Sequence, residues 1–142
     1  MANNIPSVVQ VILVRGDGSF ILQLRDEKEG LVNSGRVTAF GGSVKPGETL
    51  KEAAIREINK ETNLVIDPAR LNFFKKYRKT KKAYGENSRV YYFIVKNIDD
   101  KGLKIYEGQG FVVVDPNIEL SFVELSTMMQ KVIKDYKKVY LT

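Results

Sequence analysis

A glycine pair, a turn-rich loop and a helix start follow one another without interruption at residues 41–52, and that order restricts the chain more than any other feature. Gly41-Gly42 comes first, Pro46-Gly47 punctuates the loop of residues 42–48, and Thr49-Leu-Lys-Glu52 then fits a capping box. In such a box the threonine hydroxyl and the glutamate carboxylate each accept a backbone N–H that the first helical turn leaves free. Leu50, Ala54 and Ile58 recur at four-residue spacing, which predicts a helix with one apolar stripe, while Arg56, Glu57, Lys60 and Glu61 fall outside it. Glu57, Lys60 and Glu61 stand at i, i+3 and i+4 and so share a face. Asn63 is the expected left-handed stop, second to glycine in that conformation.

The flanking segments read mainly as strands. Residues 8–15 are rich in β-branched side chains, Gly16-Asp17-Gly18 offers a turn, and residues 20–24 resume the apolar pattern, which is a hairpin signal. Residues 25–36 read as a polar surface loop before a short strand at 37–40, which Gly41-Gly42 is expected to end. Further strands are predicted at 72–80 and 88–96, joined by a loop through residues 83–87, and at 111–114, closed by Pro116. Leu125, Met128, Met129, Val132, Ile133 and Tyr136 make a second helical stripe, read as core packing. With 142 residues, no internal repeat and no low-complexity linker, residues 1–142 are expected to be a single domain. Strands interleaved with two helices give an α/β or α+β chain with a mixed sheet between helices.

Composition narrows the chemistry. Neither cysteine nor histidine occurs, so disulfides, thiol nucleophiles, imidazole catalysis and Cys/His zinc sites are all excluded. What remains is carboxylate, amine and hydroxyl chemistry, or a hard cation such as Mg²⁺ or Mn²⁺ on oxygen ligands. The formal net charge is +6. Lys75, Lys76, Arg78, Lys79, Lys81 and Lys82 account for as many positive charges as that whole excess. Such a run suits a polyanionic partner or merely solvates a hairpin tip. The apolar run of residues 8–14 is short, broken by Gln10 and preceded by no basic residue. It therefore predicts neither a membrane span nor a signal peptide, and the cytoplasm is the default expectation.

The segment from Gly42 to Leu64 carries the chemistry: a glycine loop feeds a helix that projects acidic groups on one side, where oxygens can converge on a cation that bridges phosphates. The same residues on a solvated helix would only form weak ion pairs. The spacing resembles the Nudix box of MutT-like hydrolases, G-x5-E-x7-R-E-U-x-E-E-x-G-U with U a bulky aliphatic residue. Gly42, Glu48, Arg56, Glu57, Ile58, Glu61 and Leu64 match it, and Phe40-Gly41 ahead of it is also family-like. Lys60 stands where the first glutamate of the pair belongs, and Asn63 where the glycine belongs.

That resemblance implies a Nudix fold, an α/β/α sandwich, and metal-dependent cleavage of the pyrophosphate in a nucleoside diphosphate linked to another moiety, such as a nucleoside triphosphate or nucleotide sugar. It implies Mg²⁺ or Mn²⁺ held by Glu57, Glu61 and the Gly41 carbonyl, with Glu107 as a further ligand or general base. Arg56 joins the catalytic set, more as the ion-pair partner of Glu48 that holds loop against helix. Arg25 and Lys79 are expected at substrate phosphates, and Phe40, with Tyr77 and Tyr84, is a candidate to stack a base. A second reading follows from Lys60: a catalytically weak module of the same fold that binds or senses a nucleotide. The expected partner is a small nucleotide. Direct nucleic-acid binding finds no recognised module here, and a homodimer is left open.

Overall fold

The computed structural model describes residues 5–27, 35–84, 86–117 and 124–141. At its centre lies β1 (Ser7–Arg15). Its two edges are used differently. One edge pairs in parallel with β6 (Ser88–Ile98), Val9 opposite Tyr91. The other pairs antiparallel with β4 (Phe40–Ser43) along its first half and with β2 (Phe20–Leu24) along its second. β2 in turn carries β3 (Val37–Thr38) and β7 (Gly110–Val114), and β5 (Asn72–Lys79) flanks β6.

Side chains alternate across a strand, so β1 feeds two cores. Val9, Val11 and Leu13 point to one face and meet Ala53, Ala54 and Ile58 of α1 (Leu50–Glu61). Ile12 and Val14 point to the other and meet Met128, Met129, Val132, Ile133 and Tyr136 of α3 (Thr127–Tyr140). Helices thus cover both faces of a mixed sheet, the expected α/β/α sandwich. The capping box is complete: Glu52 N–H donates to Thr49 Oγ1 at 3.1 Å and Thr49 N–H to Glu52 Oε1 at 2.8 Å. The first hairpin turns where expected, with Gly18 at φ +89°.

Four local expectations are corrected. The strand foreseen at 37–40 is two, and Gly41-Gly42 does not end it but continues β4, lying opposite Gln10 and Val9. Residues Lys81–Tyr84 form a one-turn helix, α2, inside what read as a loop. Asn63 is not left-handed; among the described residues the non-glycine with positive φ is Asn97. Helix α1 ends instead on Thr62, in extended conformation. Part of the loop at 25–36, residues 28–34, lies outside the described residues.

Candidate active site

The acidic face of α1 points inward. Glu57 and Glu61 are only 5% and 2% exposed, because they follow Ala54 and Ile58 by three residues and lie on the same side of the helix. The sequence stripe, by contrast, set the two carboxylates apart from the apolar face. Room for Glu57 comes from Gly42 of β4, beside a second glycine packed on β1. A Cβ on Gly42 would lie 2.6 Å from the Glu57 carboxyl carbon, and one on Gly41 would lie 1.9 Å from the Val9 carbonyl oxygen. Without side chains, Gly42 admits the Glu57 carboxylate of α1 and Gly41 admits the close approach of β1.

The carboxylates are held by directed bonds. Gly41 N–H donates to Glu61 Oε1 at 3.2 Å. Arg56 donates from Nη1 to Glu57 Oε1 at 2.8 Å and from Nη2 to the Ser43 carbonyl at 2.8 Å. Its Nε and Nη2 also clasp Glu48, at 2.6 and 3.0 Å. That fork, with the Lys45 N–H at 2.8 Å, holds the Glu48 carboxyl down to about 2. Glu61 goes the other way and is pushed up to about 9, first by burial, then by the hydrogen-bonded Glu57 carboxyl and its charge, with Glu107 adding to them against the Gly41 N–H.

Glu107 stands across a cation. Lys60 Nζ lies 3.5 Å from Glu107 Oε1 and 4.0 Å from Glu57 Oε2. The Glu107 backbone carbonyl accepts from Gln23 Nε2 at 3.1 Å, which ties this loop to β2. Beside β4 opens a cavity of about 180 Å³ bordered by Gly41, Gly42, Arg25 and Lys79. Three buried polar atoms on its wall lack hydrogen-bond partners among the described residues: Gln10 Oε1, Arg25 Nε and Ser88 Oγ. Buried polar atoms are rarely left so, and a ligand that donates and accepts would satisfy them. Lys79 pairs with Glu86 at 3.2 Å on the same wall.

The expected residues therefore divide. Gly41, Arg56, Glu57 and Glu61 converge, Glu107 joins them through Lys60, and Arg25 and Lys79 line the adjoining cavity. Phe40 does not belong with them: it is fully buried in the α1-side core, so the stacking role is corrected. Tyr77 is likewise buried and donates its hydroxyl to Asp135 at 2.7 Å. Gln10, Ser88 and the Ser43 carbonyl were not foreseen. Gln10 did leave a signal, as the one polar residue interrupting an apolar strand.

The donor set suits a hard divalent cation. Two adjacent buried carboxylates resist joint ionisation, and a cation between them removes that cost. Among the described residues no group of three or more acidic side chains converges as ready-made ligands. The site thus offers a pair, with Glu107 held off by Lys60.

Residues 4–129 match the NUDIX domain family model. The chain belongs to this family. Its fold matches the MutT protein from Methanosarcina mazei Go1 with a TM-score of 0.80 at 20% identity, covering 98% of this chain and 97% of that one. The MutT NUDIX hydrolase from Burkholderia pseudomallei gives 0.77 at 16% identity, covering 94% and 98%. The C. elegans Ap4A hydrolase gives 0.65 at 18%, covering 97% and 99%. Among curated proteins no sequence match is found. Family membership makes the chain an enzyme of the Nudix hydrolase class. Among the described residues no helix is long and apolar enough to cross a membrane.

Proposed function

We propose that the chain hydrolyses the pyrophosphate of a nucleoside diphosphate linked to another moiety, using Mg²⁺ or Mn²⁺ at Glu57 and Glu61. The observation that carries this is the buried carboxylate pair set against the glycines of β4, which form one wall of a cavity with unsatisfied polar atoms. The bound ion would supply charge neutralisation at the phosphoryl oxygens and a lower pKa for the attacking water.

This chain's residues do the rest. Arg56 is a positioning residue: it fixes one Glu57 oxygen and ties helix to loop through Glu48 and Ser43. Arg25, whose Nε has no hydrogen-bond partner among the described residues, and Lys79 face the cavity as phosphate contacts. Gln10 and Ser88 offer a neutral amide and a hydroxyl to the nucleoside, which orient it by hydrogen bonds rather than charge. Glu107, half-exposed and set apart from the buried pair, is the group placed to accept a proton from the water.

The test is a panel of nucleoside triphosphates, nucleotide sugars and dinucleoside polyphosphates assayed with Mg²⁺ and with Mn²⁺. Metal-dependent release of a nucleoside monophosphate or of pyrophosphate is expected, and Glu61→Gln should lower it at least ~100-fold. No turnover across the panel, or a Glu61→Gln rate equal to wild type, would overturn the proposal.

A further inference from the structure

Both residues that depart from the box pattern engage residues 102–107, Asn63 through their backbone and Lys60 through the Glu107 side chain. Asn63 Nδ2 donates to the Gly102 carbonyl at 3.0 Å, and Asn63 Oδ1 accepts from Lys104 N–H at 2.8 Å. Its own N–H donates to the Lys104 carbonyl at 3.1 Å, Thr62 bridges to Ile105, and Tyr106 N–H donates to the Glu61 carbonyl at 2.7 Å. Lys60 completes the row with its ammonium between Glu107 and Glu57. Residues 102–107 are thereby laid along the last turn of α1, and Glu107 arrives opposite Glu57 with Lys60 in the gap.

We infer that Lys60 is a built-in cation of the acidic site. It takes the place of a second divalent ion between Glu57 and Glu107, so that the enzyme works with one ion, at Glu57 and Glu61. The inference rests on the metal-dependent reading above. Charge supports it: the Lys60 ammonium already stands against both Glu57 and Glu107, so a second cation placed between them would meet a like charge. Geometry supports it too, because an ion bridging Glu57 Oε2 and Glu107 Oε1 would have to share that gap with the ammonium. The helix puts the lysine on the same side as Glu57, three residues beyond it. Asn63 serves the arrangement by adding two side-chain bonds, absent with glycine, to the backbone bonds that hold the opposing loop in register.

Calorimetric titration of the metal-free protein with Mn²⁺ tests this without turnover. Wild type should take one ion per chain, with an EPR spectrum free of metal–metal coupling. Lys60→Glu should take two, with coupling. Lys60→Gln, which keeps the stem and removes the charge, should admit a second, weaker ion, and it decides the matter if Lys60→Glu does not fold by circular dichroism. Two ions in wild type, or one ion in every folded variant, would overturn the internal-cation inference alone. No ion in any of them would overturn it together with the metal-dependent function.

Discussion

Ionisation of Glu61 runs against the fold that surrounds it. Its carboxyl ordinarily titrates at 4.5 and here is pushed up to about 9 by burial and by Glu57 beside it. Between those two pH values the unfolded chain has released this proton while the folded chain keeps it. Folding therefore takes up a proton, and the metal-free protein loses stability as pH rises across that window, by at most ~1.4 kcal/mol per pH unit. Thermal melts in chelator from pH 5 to 9 should show a falling Tm, flattened in Glu61→Gln and restored in wild type at pH 8 by millimolar Mg²⁺. A Tm that rises over that range would contradict the assignment. The spacing of Glu57 and Glu61 was readable from the sequence, but their burial was not. Periodicity placed Leu50, Ala54 and Ile58 inward, and nothing along the chain reveals that Gly42 vacates the space the Glu57 carboxylate enters. Gly42→Ala tests that space. Its new methyl group would press on the buried Glu57 carboxylate that Arg56 holds and force it to shift, so metal affinity should fall ~10–100-fold, measured by the same titration, with a lowered Tm beside it.

Among the elements, α1 was the most legible, since its capping box and apolar stripe are local signals. What escaped were features set by partners distant in sequence. Gly41-Gly42 reads as a break by composition, yet it extends β4 because β1 offers a ladder beside it. Phe40 reads as an available aromatic, yet its register opposite Val11 turns it into the core. Asn63 is the sharpest case: read locally it is a left-handed stop, whereas in the fold its amide grips residues 102 and 104, some forty positions onward. The two accounts differ over Asn63→Gly. A left-handed stop would gain from glycine, whereas losing both amide bonds should cost about 1–2 kcal/mol. A Tm lowered by several degrees, with the helix content of α1 retained by circular dichroism, is the expected result.

At the scale of the whole molecule, the +6 charge gains meaning from its position. The basic run occupies β5, at the edge of the sheet, and the one-turn helix α2 at the tip of the β5–β6 hairpin. Its members are not equivalent. Lys75 is drawn to Asp135 at 3.3 Å on α3 and lies 5.4 Å from the centre of the Tyr77 ring, Lys76 lies 5.6 Å from the centre of the Tyr91 ring, and Lys79 reaches the cavity wall beside Arg25. Lys81 and Lys82 remain exposed just past Lys79. A nucleotide bearing two or more phosphates would thus approach along a positive edge that ends at the site, a geometry that raises the rate of encounter more than the strength of the final complex. Exposed charges act through solvent and are screened by salt over roughly 10 Å at 0.1 M. Raising salt from about 0.05 to about 0.5 M should therefore lower kcat/KM several-fold while kcat stays nearly constant. Replacing Lys81 and Lys82 together by Gln should flatten that salt dependence without lowering kcat, because neither touches the carboxylate pair. If steady-state kinetics instead show kcat falling in step with kcat/KM, the edge acts after binding, and steering is the wrong account of it.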